Sequence, residues 1–296
     1  MSFNRFPLPE HLGLGPLLGS SPLASGANND ILLLEFEHRK AVLKQTRPNG
    51  TDRLESEIAI LANLEGEIGP SVLWQILSEE GGEGKCLFLE HVAGEHKFEL
   101  EEVDAARLGT ALRCIHDTDL AKLNSSLESP SWSTYFQDRL SSQYTKAKDV
   151  APLGQVQEMK RCLDRIHAMG LDMQQNLSDL EKTLVHTDII PLNVIFQEDR
   201  CRIIDWELAR IDFPEWDLCS AFKSFSLSAP AEEALLRSYG RALDPDRMRF
   251  VSLLHYSNVA LWRFCSFYLL GENQSIKTKF LRELDEEIEW IRVSLP

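Results

Sequence analysis

Leu184-Val185-His186-Thr187-Asp188-Ile189-Ile190-Pro191-Leu192-Asn193-Val194-Ile195-Phe196, followed by Arg202-Ile203-Ile204-Asp205-Trp206-Glu207, decides how the whole chain is read. Two apolar runs, Leu184-Val185 and Val194-Ile195-Phe196, flank a polar loop, and a third, Ile203-Ile204, stops abruptly on an acid. Apolar β-branched runs bounded by polar turns read as buried strands. His186, Asp188 and Asn193 are then presented by a fixed loop, and Asp205 by the end of a partner strand. Two carboxylates and a carboxamide held this way suit phosphoryl transfer. That reaction asks for a base to orient a hydroxyl, oxygen ligands for Mg2+, and little covalent chemistry from the protein.

At 296 residues the chain has room for roughly two domains of about 150 residues each. A hydrophobic share of 43% is ordinary for a globular protein. No run reaches the ~18 apolar residues of a membrane span, and Met1-Ser2-Phe3-Asn4-Arg5-Phe6-Pro7 lacks the basic segment and apolar core of a signal peptide. Cys86, Cys114, Cys162, Cys201, Cys219 and Cys265 are scattered without a Cys-x-x-Cys pair, mostly inside apolar segments, and read as buried free thiols. A cytoplasmic location is expected, with no membrane partner. The net charge of −15 argues against nucleic acid as a partner, since replacing counterions needs basic surface. It suits a cationic substrate focused into an acidic cleft, or plain solubility.

Residues 1–22 read as an extended lead-in. Gly13-Leu14-Gly15-Pro16-Leu17-Leu18-Gly19 is no dinucleotide loop, because the spacing is wrong, Pro16 interrupts it and no strand precedes it. Ser25-Gly26-Ala27-Asn28-Asn29-Asp30 is a better phosphate loop, with Ser25 and Asn28 as its polar contacts and a strand directly after it. A plain Asn-Gly hairpin turn is the alternative. Lys44 lies on the returning strand 40–46. A helix is expected over 53–65, with Leu54, Ile58, Leu61 and Leu64 on one stripe. Glu57 falls on that stripe and Glu55 points away. A carboxylate facing the core is costly unless paired, and Lys44 is the available cation. Residues 72–78 and 85–91 form a further hairpin around a Gly- and Glu-rich turn.

His186-x-Asp188-x-x-x-x-Asn193, followed by Ile204-Asp205-Trp206-Glu207, resembles the catalytic loop and metal-binding segment of the aminoglycoside phosphotransferase and choline kinase family. That family usually has Gly at the position of Thr187 and often His-Pro-Gly at Ile190-Pro191-Leu192. The resemblance implies an α+β, two-lobed, protein-kinase-like fold. Residues 1–93 would form a small, mainly β nucleotide-binding lobe with one key helix, and 94–296 a larger helical, catalytic and substrate-binding lobe. It implies ATP and Mg2+ as cofactors, with Asp188 as base, His186 bracing the loop, and Asn193 and Asp205 as metal ligands. Lys44, held by Glu57, would grip the phosphates. Glu90 and Val92 would bind adenine through their backbones, with Gly94 as a flexible point, and Asp217 would support the catalytic loop.

The remainder reads as helical: around 105–115, over 155–180, and over 231–241, 246–270 and 276–293. Residues 121–150 are polar, with an aromatic cluster of Trp132, Tyr135 and Phe136, and read as a substrate-side insertion. The acids between 283 and 289 read as a solvated helix face, and Trp262, Phe264, Phe267 and Tyr268 as core rather than a binding box. His116, His167 and His255 lack metal-ligand spacing. The expected activity is transfer of the ATP γ-phosphoryl group to a hydroxyl of a small molecule: an aminoglycoside or other antibiotic, a choline-like amino alcohol, or a sugar. The alternative is a nucleotide-binding pseudokinase acting as scaffold or sensor. The retained base, metal acid and strand lysine argue against it. The sequence leaves the oligomeric state open.

Overall fold

The computed structural model describes residues 12–25, 29–47, 53–64, 67–77, 85–123, 127–148, 153–178, 182–266 and 274–295. The N-terminal strands are β1 (Leu17–Ser25), β2 (Asn29–Phe36), β3 (Lys40–Thr46), β4 (Val72–Ile76) and β5 (Cys86–Glu90), with α1 (Leu54–Leu61) between β3 and β4. They form one antiparallel sheet in the order β1-β2-β3-β5-β4. The expected lead-in is thus partly an edge strand. Most side chains described on β1 are exposed, so it shows no apolar alternation, and Pro22 sits beside a register shift where a missing N–H is tolerated. Leu34, Phe36, Ala41, Leu43, Cys86 and Phe88 pack with Leu14 as the sheet's own core.

α1 is shorter than expected and buries Leu54, Glu57, Ile60 and Leu61. Ile60, not Ile58, belongs to the buried stripe: Glu57 lies at its centre, one turn from both Leu54 and Ile60.

The rest of the chain is mainly helical: α2 (Glu102–His116), α3 (Trp132–Thr134), α4 (Ser142–Ala147), α5 (Leu153–Ser178), α6 (Glu215–Ser224), α7 (Ala229–Tyr239), α8 (Pro245–Ser266) and α9 (Gln274–Ser294). Short strands intervene: β6 (Glu99–Leu100), β7 (Thr183–Val185), β8 (Val194–Phe196), β9 (Cys201–Ile203), β10 (Arg210–Asp212) and β11 (Ser226–Leu227). None of the described helices is long and apolar enough to cross a membrane.

Two compact units result. The first takes residues up to 127 together with 186–210 and 224–240; the second takes 128–185, 211–223 and 241–296. In the first unit the sheet is joined by α2, α7 and the central polar loop. In the second, Trp132, Tyr135 and Phe136 pack with Phe213, Trp216, Phe250, Phe264, Leu284 and Ile291. The aromatic cluster around residue 132 is therefore core, and its stretch is helical: a π-helical turn, Tyr135–Ser141, joins α3 to α4. Its Ser-rich composition hid those anchors. Phe264 is buried but Trp262 is exposed, and Phe267 and Tyr268 lie outside the described residues. Glu287 departs from the solvated acid face of α9. It is buried, and pairs with Lys223 at 2.8 Å and Arg263 at 3.0 Å.

All six cysteines are free; Cys86, Cys162, Cys201 and Cys219 are buried, Cys265 is half-buried and Cys114 is exposed. His116 is buried too, with Nδ1 2.8 Å from the Tyr239 hydroxyl. That contact ties the end of α2 to the end of α7, and Gly109 sets how close the two helices run. A Cβ there would strike the Leu235 carbonyl oxygen and lie 3.1 Å from the Tyr239 nitrogen. Alanine is the better helix former by about 1 kcal/mol, yet overpacking costs about 1–3 kcal/mol. Gly109→Ala should therefore lower the midpoint of chemical denaturation. An unchanged midpoint would show that α2 and α7 can part without loss.

Candidate active site

The site is built on the first unit by a hairpin of two three-residue strands. β8 and β9 pair antiparallel, Val194 opposite Ile203 and Phe196 opposite Cys201. The Ile204 amide donates to the Asn193 carbonyl at 2.9 Å, so the two polar segments leave the hairpin side by side. The loop 186–193 is held from within. His186 is fully buried, with Trp206 edge-on at 4.7 Å. Its Nδ1 accepts from the Asp188 amide at 3.3 Å, and its Nε2 lies 3.0 Å from the Ile204 carbonyl oxygen. With Nδ1 accepting, Nε2 carries the proton and donates. Asn193 Nδ2 donates to the Asp188 carboxylate at 2.9 Å and to its carbonyl at 3.0 Å. Oδ1 is then the Asn193 side-chain atom left for a cation.

Among the described residues, Thr187 and Asp205 are the non-glycine residues with positive φ, at 70° and 67°. A β-branched residue in the left-handed region is strained by roughly 1–2 kcal/mol. Thr187 offsets this by donating from Oγ1 to the Leu208 carbonyl at 3.1 Å. A glycine at this position would relax the backbone but could not make that bond.

Lys44 projects from β3 into an acidic cluster and is 3% exposed. Its ammonium donates to Glu57 Oε2 at 2.8 Å and Asp205 Oδ1 at 2.7 Å, and Glu207 Oε2 lies at 3.4 Å. Burial alone would push the Lys44 pKa down; Glu57, Asp205 and Glu207 together raise it instead, so the ammonium stays charged. Burial pushes the Glu57 carboxyl up, against the pull of Lys44 and of the Trp206 amide, which donates to Glu57 Oε1 at 3.2 Å. Glu55, on the opposite face, is exposed and meets Lys85. The three carboxylates outnumber the ammonium, an excess of negative charge that a hard divalent cation could compensate. Among the described residues, no group of three or more His, Cys, Asp or Glu is arranged to hold a metal alone.

Glu90 and Val92 end β5 and follow it. The Glu90 side chain takes both Arg202 Nη groups, each at 2.9 Å, and this ion pair holds its carboxyl below the usual range. Arg202 lies three residues before Asp205, so the end of β5 is braced to the strand that delivers the acid. The chain then crosses β8: Glu95 and Phe196 exchange backbone hydrogen bonds at 3.0 and 2.9 Å. A Cβ at Gly94 would come within 2.5 Å of Ile195 Cγ2 and the Phe196 carbonyl oxygen. Close approach, not flexibility, explains that glycine. His96 adds a further tie, its Nδ1 3.0 Å from the Pro191 carbonyl oxygen.

Asn28 lies outside the described residues, and of Ser25 only its backbone place at the end of β1 is described. Asp217 is fully buried on α6 in the second unit. Sequence reasoning passed over Arg202, Glu207, Asn29 and His96 as site residues. Glu207 was visible in the motif; the others act through contacts between residues 29 and 207, 90 and 202, or 96 and 191, which no local pattern reveals.

Asp188 is half-buried, and its pKa is raised first by burial; His186 and Asn193 pull it down, while Asp205 and Glu207 push it further up. The folded protein therefore holds this proton more tightly than the unfolded chain. In metal-free protein, a carboxyl NMR titration should place Asp188 above 3.8, and Glu207→Gln should shift it down. A shift upward would refute the charge argument. For Thr187, losing the hydroxyl while keeping the strain should cost more than losing both. Thr187→Val should destabilise by about 1–2 kcal/mol, and Thr187→Gly should stay within about 1 kcal/mol of wild type. Equal losses in chemical denaturation would rule out the compensation.

The profile of the phosphotransferase enzyme family matches residues 20–251. Spectinomycin phosphotransferase APH(9)-Ia, solved with ADP and spectinomycin, superposes with a TM-score of 0.69 at 17% identity, covering 94% of each chain. The choline kinase LicA from Streptococcus pneumoniae gives 0.66 at 14% identity, covering 95% of this chain and 96% of that one. In sequence, the protein LicA of Haemophilus influenzae is 25% identical over 103 residues, which is 35% of this chain and 30% of the relative. The sequence likeness to that curated relative thus spans under a third of its length, while the superpositions on the two solved structures cover 94–96% of each chain. With the family profile covering most of its length, the chain belongs to the phosphotransferase enzyme family.

Proposed function

We propose that this protein is a small-molecule kinase that transfers the γ-phosphoryl group of ATP, with Mg2+, to a hydroxyl of a small acceptor. The observation that carries the reading is one ammonium, Lys44, shared between Glu57 and Asp205 while Asp188 and Asn193 face each other on the adjoining loop. Mg2+, when bound, would offset the negative charge of the phosphates. Asn193 Oδ1 and Asp205 would hold it, and Lys44 would add its charge to the phosphates while Glu57 fixes its position. Asp188 would accept the proton of the acceptor hydroxyl, oriented by Asn193 and by the His186 brace. Glu90 and Val92 would meet adenine through backbone groups, and Ser25 and Asn28 the phosphates. Residues 1–93 would then be the nucleotide-binding lobe and 94–296 the catalytic and substrate-binding lobe.

Spectinomycin and choline, the compounds in the names of the fold neighbours, frame the acceptor class: antibiotics, amino alcohols or sugars. The net charge of −15 favours a cationic acceptor by focusing it into an acidic site. A cytoplasmic enzyme supplied with ATP fits six free thiols. No finding favours the non-catalytic alternative.

Two substitutions separate the central carboxylates. Asp188→Asn should bind Mg2+–ATP almost normally and lower the chemical step by about 10²–10⁴-fold, the usual share of a general base. Asp205→Asn should lose metal-dependent nucleotide affinity as well as turnover. Calorimetric titration with and without Mg2+, beside a turnover assay over antibiotics and amino alcohols, measures both. Full activity in Asp188→Asn would overturn the base, and unchanged metal dependence in Asp205→Asn would overturn the ligand.

A further inference from the structure

Asn29 opens β2 opposite Thr46, and Ile31 lies opposite Lys44, so by the pleat Asn29 and Thr46 share the sheet face that carries Lys44. Asn29 is 4% exposed, and its Nδ2 donates to Glu207 Oε2 at 2.5 Å. That same oxygen lies 3.4 Å from the Lys44 ammonium. Glu207 sits in the 3-10 turn Trp206–Leu208, directly after Asp205. The first residue of the strand therefore meets the segment that delivers the metal acid, 178 positions away.

The cost of burying this asparagine shows that packing did not select it. Its Oδ1 is buried with no hydrogen-bond partner, and so is Thr46 Oγ1 across the strand pair. Each such orphan weakens the fold, a cost that an apolar residue of similar size would avoid. What an apolar residue could not do is hold Glu207. A neutral amide satisfies a carboxylate without cancelling its charge, whereas a cation in its place would neutralise it. Glu207 Oε2 already lies 3.4 Å from Lys44, and a closer approach without the amide would draw the ammonium from Glu57 and Asp205.

On the reading of function above, we infer that Asn29 is a positioning residue. It clamps Glu207 from the β2 side, so that Lys44 stays divided between Glu57 and Asp205 and poised for the nucleotide phosphates.

The test exchanges donor and acceptor. Asn29→Asp keeps the shape but sets a carboxylate against Glu207. Asn29→Asp with Glu207→Gln restores the bond with reversed polarity. In chemical denaturation, Asn29→Asp should shift the midpoint strongly in the wild-type background and little in the Glu207→Gln background. Effects that simply add would overturn the clamp. In turnover, Asn29→Asp should raise KM for ATP about tenfold, the equivalent of ~1.4 kcal/mol, and move the Mg2+ dependence, with a smaller change in kcat. Asn29→Ser, too short to reach but uncharged, should shift KM the same way to a lesser degree. Coupled midpoints with an unchanged KM for ATP and unchanged Mg2+ dependence would overturn the positioning role. A failure of the kinase reading itself would appear in the wild type, as absent Mg2+–ATP binding, while the stability coupling stayed measurable.

Discussion

One buried ammonium organises the first unit. Lys44 is nearly inaccessible, and an isolated charge there would be prohibitively expensive. It is retained because three carboxylates from two distant stretches converge on it: Glu57 on α1, and Asp205 and Glu207 after β9. Removing one partner from a buried pair typically costs about 3–5 kcal/mol, far more than the pair contributes over apolar replacements. The cluster therefore specifies geometry more than it adds stability. It fixes the rotation of α1 against the sheet, and thereby which α1 side chains face inward.

Around that charge, most of the remaining positioning is done by backbone and by neutral or fully paired groups. The loop carrying Asp188 is fixed by the His186 ring between two main-chain atoms and by Asn193 turned back on the acid. The hairpin carrying Asp205 is braced to β5 through Arg202 and Glu90 and crossed by the Gly94–Glu95 segment. Among the described residues, non-glycine backbone strain concentrates at Thr187, one residue ahead of Asp188, and at Asp205.

Much of this was legible in the sequence because local chemistry and long-range contact agreed there. The apolar runs at 194–196 and 203–204, the position of Glu57 on its helix and the lysine on β3 all follow from period and polarity. Elsewhere the two disagreed. β1 buries few of its described side chains, so no alternation betrays it, and Ser-rich surroundings masked Trp132, Tyr135 and Phe136 as core. Glu287 looked solvated among other acids, because its partners Lys223 and Arg263 lie on α6 and α8. Ile58 and Ile60 could not be ranked by periodicity, since both border the stripe that Glu57 centres.

The thiols carry a practical consequence. Burial pushes the pKa of Cys201 and Cys219 up to about 12 and that of Cys162 to about 11, so almost none of their thiolate exists near neutrality. Cys114, by contrast, is exposed on α2, the helix that packs on α7 and begins a few residues after the chain crosses β8. Alkylating reagents at neutral pH thus meet one exposed cysteine, on a helix of the first unit. A fluorophore or spin label could be attached there without mutating the protein.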